Sequence, residues 1–195
     1  MLNVLKKSLS GVPIVKRGDY SYFIHPITDG IPELKPELIL EVAAHIAKIA
    51  DMDVDKIVTV EAMGIHIGTA LSLLTHIPLV IIRKKRYGVS GEIAVHQVTG
   101  YSKGELYLNG IHKGDRVIIV DDVISTGGTM KAATKALEMA GAEIKDIVVV
   151  FTRGSGIEDI KEMGYLPKVL LALDVSEDGI IIKDSADTET QEGFN

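Results

Sequence analysis

The chain of 195 residues contains no cysteine, which excludes disulfides, thiolate catalysis and zinc sites built from cysteine. It also lacks an excess of positive charge, because 21 lysines and arginines face 27 acidic residues and the formal net charge is -6. That balance argues against broad electrostatic binding to nucleic acid or to an acidic membrane. No apolar run approaches membrane-spanning length, and the opening MLNVLKKSLSG has no sustained apolar core. We therefore expect a soluble cytoplasmic protein.

The chain does contain a regular alternation of apolar strands and helices. Continuous aliphatic runs predict strands buried on both faces, as in a parallel sheet, at 56–60, 78–83, 115–120, 146–151 and 168–173. Helical patterns accompany them at 37–50, 66–76, 128–141 and 156–164. This order predicts an α/β fold with a mostly parallel central sheet flanked by helices. In such sheets a ligand binds beyond the carboxyl ends of the strands.

Three parts of the chain are expected to differ in character. Residues 1–35 are rich in aromatics and prolines and predict an irregular N-terminal segment, residues 36–183 carry the alternating core, and the polar tail 184–195 is expected to be disordered. Within the core, residues 84–110 predict one or two polar strands with a long excursion, and a loop of this length is usually a lid or a disordered insert. The basic run at 83–86 opens this segment, and its place at a strand end favours anion binding over a merely solvated face.

The most informative stretch is VIIVDDVISTGGTM, residues 117–130. A loop of small residues that leads into a helix presents backbone N–H groups, reinforced by the positive helix end, to an anion such as phosphate. In the loop 125–129, serine and threonine add hydroxyl donors and two glycines let the backbone approach the oxygens. Asp121 and Asp122 cannot bind the same phosphate, but carboxylates accept strong hydrogen bonds from a vicinal diol. The stretch therefore predicts a site for ribose 5-phosphate.

Competing explanations of this stretch fit less well. A Walker loop needs a lysine after its last glycine, and no lysine occupies that position. The nearest dinucleotide-type pattern, Gly154-Ser155-Gly156, has Asp159 at the place of the third glycine and predicts only a loop at a helix start. Paired acids could hold a catalytic metal directly, but no further cluster of acids or histidines supports that role. A tight turn with a helix cap would explain the glycines but not the acids.

Residues 117–129 resemble the phosphoribosyl-pyrophosphate (PRPP) signature of the type I phosphoribosyltransferases, a hydrophobic strand, two acids and a Thr-Gly-Gly-Thr end. Further stretches resemble the purine branch. EAMGIHIG (61–68) is similar to the pyrophosphate loop of the adenine enzymes, IRKKRYG (82–88) and YSKGELYL (101–108) to the ends of their mobile loop, and FIHPITDGIPELKPELI (23–39) to the segment before the first core helix. The overall resemblance is strongest to the archaeal-type hypoxanthine/guanine phosphoribosyltransferases, which share the adenine-type plan.

This resemblance implies a glycosyltransferase of purine salvage that acts as a homodimer on small molecules, without nucleic acid or membrane partners. N9 of hypoxanthine or guanine would displace pyrophosphate from PRPP, giving IMP or GMP, while adenine with AMP as product is the alternative. A second alternative is a regulator that senses PRPP or purine, although the charge of -6 supplies no basic face for nucleic acid. Mg²⁺ would arrive bound to pyrophosphate oxygens, so no residue is assigned as a protein ligand of a metal.

The resemblance also implies residue roles, with a hood formed by 1–35 and a mobile lid at 84–104 that excludes water. The implied catalytic residues are Asp122, which lies under the sugar where positive charge develops, Asp121 and Arg83. Ribose and 5′-phosphate would be held by Asp121, Asp122, Val123, Ile124, Ser125, Thr126, Gly127, Gly128 and Thr129. Pyrophosphate would contact Glu61, Ala62, Met63, Gly64, Arg83, Lys84 and Lys85, with a strained or cis peptide in the loop. The base would lie against Phe23, Ile24 and Val123.

Two departures from the adenine enzymes concern the base and the pyrophosphate. Met63 stands where those enzymes carry arginine, and Gly100 stands before Tyr101 where they carry glutamate. A 6-oxopurine needs donors at O6 and an acceptor near N1–H, whereas adenine needs the reverse. Phe23 could stack on the base or anchor the N-terminal segment, and no side chain in the sequence decides which base is bound.

Overall fold

The computed structural model of the protein describes residues 1–17, 20–98, 103–177 and 179–186. Four short elements form the N-terminal part: α1 (Asn3–Ser8), β1 (Ile14–Arg17), β2 (Tyr20–Phe23) and α2 (Pro26–Asp29). The elements after them are α3 (Pro36–Ile49), β3 (Lys56–Val60), α4 (Gly64–Thr75), β4 (Leu79–Ile82), β5 (Ile93–Val98), β6 (Lys103–Leu108), β7 (Arg116–Ile124), α5 (Gly128–Ala140), β8 (Glu143–Thr152), α6 (Gly156–Glu162), β9 (Lys168–Ser176) and β10 (Gly179–Ser185). The predicted alternation of strands and helices is confirmed.

Six strands form the central sheet, in the order β10-β9-β8-β7-β3-β4. Neighbouring strands are parallel except at one edge, where β10 runs antiparallel to β9. Helices cover both faces, which confirms the predicted fold class. Across the described residues, no helix has the length and apolarity that a membrane crossing requires.

Strand β7 lies inside the sheet, and its aliphatic run serves two separate cores. Ile118 and Val120 pack into the core that contains α3 and α4, while Val117 and Ile119 pack into the core that contains α5 and α6. Side chains alternate along a strand, so a strand covered on both faces must be apolar at every position. The continuous run in the sequence follows from this double burial.

The end of β7 differs from the expectation. The sequence predicted that the strand ends at residue 120, just before the acids, but β7 continues to Ile124. Asp121 and Val123 remain in register with Val149 and Phe151 of β8, so the backbone pairing continues beyond the aliphatic run. The two acids therefore lie near the carboxyl end of strand β7 and not in a loop.

The N-terminal part is structured, so the expectation of an irregular segment is wrong. Helix α1 is docked on α3, because the Glu41 carboxylate accepts the N–H groups of Val4 at 3.1 Å and Leu5 at 2.7 Å. A carboxylate at a helix N-terminus satisfies orphan backbone donors and suits the positive end of the helix dipole. Leu5 is fully buried in the core on this side of the sheet. Tertiary contacts, more than local propensity, hold this short helix.

Strands β5 and β6 form an antiparallel hairpin outside the central sheet, which confirms the polar strands expected within 84–110. Backbone hydrogen bonds between Arg83 and Tyr107, at 2.9 and 2.7 Å, attach it to the end of β4. Buried Val95 and Leu106 pack the hairpin into the core that contains α5. Of the predicted lid, residues 99–102 lie outside the described residues, and so does 187–195 of the predicted tail, whose first two residues belong to β10.

Candidate active site

A cleft of about 360 Å³ opens at the carboxyl ends of β3, β7 and β8. The position agrees with the rule that ligands bind there in parallel sheets. The cleft is lined by Tyr22, Phe23, Thr28, Val60, Glu61, Ala62, Met63, Lys84, Gln97, Asp121, Asp122, Val123, Ile124, Ser125, Thr126, Gly127, Gly128, Thr129, Met130 and Arg153. Four residues expected at the site are absent from this lining, namely Ile24, Gly64, Arg83 and Lys85.

The acid pair, Asp121 and Asp122, stands on the floor of this cleft. Asp121 is 5% exposed, and its Oδ1 accepts the N–H of Asp122 at 3.0 Å. Burial raises the pKa of Asp121 from 3.8 to about 6. Burial and the neighbouring Asp121 charge raise the pKa of Asp122 well above its usual value. Two carboxyls in this arrangement favour keeping a proton between them, and donated hydroxyl hydrogens from a ligand can relieve the same repulsion.

Gly64 lies directly behind the acid pair and explains why a glycine is needed in the loop 61–64. A Cβ at this position would lie 1.8 Å from Thr59 Oγ1 and 2.7 Å from Asp121 Oδ1. The N-terminus of α4 can therefore approach the acids only without a side chain here. The Glu61–Ala62 peptide bond is cis, as the resemblance implied.

The loop 125–129, which was predicted to hold phosphate and is called the phosphate loop below, connects β7 to α5 and contacts the loop that starts α6. Gly127 has a φ of 75°, which favours glycine. The N–H of Gly156 donates to the carbonyl of Ser125 at 2.9 Å, and a Cβ on Gly156 would lie 2.3 Å from that oxygen. Gly156 begins α6, so the predicted helix start is confirmed. The sequence did not reveal its second role, as the support of the phosphate loop.

A family model described as "Phosphoribosyl transferase domain" matches residues 33–169. The chain belongs to this phosphoribosyltransferase family. It is 65% identical over 189 residues to "Hypoxanthine/guanine phosphoribosyltransferase" of Methanocella arvoryzae, covering 97% of this chain and 99% of the relative. A relative of the same name from Methanothrix thermoacetophila is 67% identical over 177 residues, covering 91% and 93%.

Solved structures of adenine phosphoribosyltransferases share the fold of this phosphoribosyltransferase. The enzyme of Thermoanaerobacter pseudethanolicus has a TM-score of 0.73 at 22% identity, covering 88% of this chain and 99% of that one. The enzyme of Rhodothermus marinus has a TM-score of 0.67 at 26% identity, covering 88% and 98%. The type I phosphoribosyltransferase fold expected from the sequence is thereby confirmed.

Of the three cations expected near the pyrophosphate, only Lys84 lines the cleft. Lys84 lines the cleft, whereas the Arg83 Nε donates to Glu61 Oε2 at 2.7 Å. The same oxygen accepts the N–H of Lys84 at 3.1 Å, and the hydrogen bond from Arg83 lowers the pKa of Glu61. Lys85 Nζ lies 5.9 Å from the ring centre of Tyr87 and outside the cleft. In this conformation Glu61 orients the basic segment, and Lys84 faces the cleft.

Gln97 also lines the cleft, although it was not predicted from the sequence. It is 8% exposed on β5, and its Nε2 donates to Thr129 Oγ1 at 2.6 Å. A threonine hydroxyl that accepts this bond keeps its own hydrogen for a ligand. The signal was present in the alternation of β5, because Gln97 lies two positions after buried Val95 and thus on the inward face.

The N-terminal part forms the remaining wall of the cleft. The Phe23 ring is 2% exposed and meets Phe151 edge-on with ring centres 5.7 Å apart, which favours an anchoring role over stacking on a base. His25 is fully buried, its Nδ1 accepts the N–H of Ile27 at 3.1 Å, and its Nε2 lies 2.8 Å from Ser8 Oγ. Burial lowers the pKa of His25 to about 4. A neutral imidazole thus joins α1 to the segment beside the cleft.

No group of three or more acids or histidines within the described ranges could hold a metal ion. His66, which follows the 61–64 loop, lines a separate apolar groove and not the cleft. Gly100 and Tyr101, the second departure from the adenine enzymes, lie outside the described residues.

Proposed function

We propose that this protein transfers the 5-phosphoribosyl group of PRPP to N9 of hypoxanthine or guanine and releases pyrophosphate. The observation that carries the proposal is that the acid pair, the phosphate loop that follows it and residues 61–63 line one cleft. Relatives that are 57% to 67% identical and named hypoxanthine/guanine phosphoribosyltransferase support the choice of base.

The groups in the cleft divide into three sets by their chemistry. Backbone N–H groups of the phosphate loop and the start of α5 receive the 5′-phosphate. The acid pair accepts the ribose hydroxyls and lies where positive charge develops at C1 in an oxocarbenium-like transition state. Residues 61–63 and Lys84, which also line the cleft, would face the leaving pyrophosphate.

Magnesium fits this site as a companion of the substrate. The described residues offer no cluster of protein ligands, and magnesium is typically bound through substrate phosphates and few carboxylates. Bound to pyrophosphate oxygens, it would neutralise charge on the leaving group. The acid pair and the Glu61 carboxylate are the acidic groups in the cleft that could approach its water shell.

We also propose that the active form is a homodimer that works in the cytoplasm. An apolar groove between α3 and α4 is lined by Leu34, Ile39, Ala62, Ile65, His66, Thr69, Ala70 and Leu73. Leu73 is 75% exposed in the single chain, and Ala62 lines both this groove and the cleft. Covering the groove with a second copy would bury this apolar surface next to the pyrophosphate loop. Light scattering of wild type and Leu73→Glu tests the proposal, which fails if both are monomers.

The direct test is pyrophosphate release from PRPP and magnesium with hypoxanthine, guanine, xanthine or adenine. We expect activity with hypoxanthine and guanine and not with adenine. Asp122→Asn should remove activity, while Glu143→Gln, at the opposite end of the parallel strands, should retain it. Activity with adenine alone would replace the proposed base, and PRPP binding without release for any base would favour a sensor.

A further inference from the structure

The carboxylate of Asp29, the last residue of α2, organises the polar groups of the N-terminal wall. Its Oδ1 accepts the hydroxyl of Tyr22 at 2.6 Å. Its Oδ2 accepts the hydroxyl of Thr28 at 2.6 Å and the N–H of His25 at 3.0 Å. Tyr22 and Thr28 both line the cleft, whereas Asp29 does not. The carboxylate therefore acts on the cleft through its two hydroxyl partners.

These hydrogen bonds fix the polarity of both hydroxyls. Each hydroxyl carries one hydrogen, and an ionised carboxylate carries none, so both hydrogens are committed to Asp29. The carbonyl of His25 is a second acceptor near the Thr28 hydroxyl, but it is 3.4 Å away. The hydroxyl hydrogen therefore goes to the closer, charged carboxylate of Asp29. The oxygens of Tyr22 and Thr28 can then only accept a hydrogen bond from a ligand. A ligand edge that meets them must bring N–H groups.

We propose that Asp29 is a positioning residue for the base, holding Tyr22 and Thr28 as acceptors for ring N1–H of a 6-oxopurine and for the 2-amino group of guanine. The inference rests on the proposed function and deepens it. Adenine has a lone pair at N1, which an oxygen that only accepts cannot bind. Arg153, whose guanidinium only donates, lines the same cleft from the end of β8 and suits the O6 oxygen.

The contacts of Asp29 separate this role from a purely structural one. Its bond to the N–H of His25 stabilises the turn at the start of α2. That turn has other supports, because His25 is held by Ser8 and packs edge-on against Phe151 at 5.3 Å. The two hydroxyl bonds are not needed to close the turn, so a variant that keeps the His25 bond should fold.

Asp29→Asn makes the test specific, because the amide keeps an acceptor oxygen but adds hydrogens. With the amide oxygen at the position of Oδ2, the variant still accepts the N–H of His25 and the hydroxyl of Thr28. The amide nitrogen then faces Tyr22 and donates to its hydroxyl, whose own hydrogen turns toward the cleft. We expect the KM for hypoxanthine and for guanine to rise on the order of ten-fold, the scale of one lost hydrogen bond. The KM for PRPP should stay within about two-fold, and competition by adenine should strengthen. Asp53→Asn, at an exposed carboxylate, serves as the matched control.

Two further variants separate the two acceptors. Thr28→Val and Tyr22→Phe each remove one oxygen, and the one that faces the 2-amino group should impair guanine more than hypoxanthine. Equal losses for PRPP and base in Asp29→Asn, or an unchanged base KM, would overturn the inference while leaving the function intact. A wild type inactive with both 6-oxopurines would overturn the proposed function and this inference together.

Discussion

Replacing Asp121 by asparagine should stabilise the fold and destroy function. The side chain is 5% exposed, and burial raises its pKa from 3.8 to about 6. The folded state therefore holds the proton more tightly than the unfolded chain. The contribution of Asp121 to stability must then fall as the pH rises from about 4 to about 6 and level off above that range. Asparagine has the same shape, keeps an oxygen for the N–H of Asp122, and has no such penalty.

The size of the effect follows from the two pKa values. One pH unit is worth about 1.4 kcal/mol, so ionised Asp121 destabilises the fold by about 3 kcal/mol at pH 7.5 and by about 1 kcal/mol at pH 4.5. The free energy of unfolding of Asp121→Asn should exceed that of the wild type by most of this amount, and the difference should shrink as the pH is lowered. The loss of a ribose contact should meanwhile reduce kcat/KM at least a hundred-fold, through weaker binding and a less stabilised transition state.

Urea unfolding of wild type and Asp121→Asn at pH 4.5 and 7.5 measures both the sign and the pH dependence. Glu162→Gln, at an exposed position of α6, controls for loss of one negative charge. A variant that is less stable than wild type at pH 7.5 would refute the reasoning. So would a gain that is the same at both pH values, because it could not arise from ionisation of a buried carboxyl.

Three other changes have definite expected outcomes. Gly156→Ala should displace the phosphate loop and raise the KM for PRPP at least ten-fold. The control Gly104→Ala, whose Cβ would have no neighbouring atom within 4 Å, should leave that KM unchanged. Equal KM values for the two variants would contradict the supporting role of Gly156. In Gln97→Glu the new carboxylate would accept the hydroxyl hydrogen of Thr129 and add negative charge. We therefore expect the KM for PRPP to rise on the order of ten-fold while the KM for the base is unchanged. A change in the KM for the base alone would contradict a role of Gln97 in PRPP binding. Glu61→Gln should release Arg83 from its ion pair. The affinity for pyrophosphate should then change about two- to ten-fold and depend more strongly on salt, which titration with pyrophosphate at two ionic strengths measures.

The sequence predicted the part of the site that one continuous segment carries. The acid pair and the phosphate loop lie within 14 residues, so strand, loop and helix could be recognised together. Gln97, Arg153 and Thr28 come from separate elements, and only the folded chain brings them to the same cleft. Their recognition would have needed the tertiary arrangement, although the inward position of Gln97 on β5 was readable.

The missed elements of the N-terminal part have a common physical cause. Helix α1 has six residues and depends on Glu41, which lies more than thirty positions away. Strands β1 and β2 have four residues each, too few to show a clear alternation. Short elements gain little from local propensity, so distant contacts decide whether they form. The long buried strands needed no such help and were predicted within a few residues.

The antiparallel strand β10 has a consequence for how copies of this protein can associate. It closes one border of the central sheet and is irregular between Ile182 and Asp184, where a charged neighbour, Lys183, also lies. At the other border β4 has four residues, and the backbone bridge between Arg83 and Tyr107 follows it. Addition of a strand from another copy at a sheet border leads to aggregation, and irregular, short or charged borders resist it. We therefore expect both borders of the sheet to protect the protein against amyloid-like assembly.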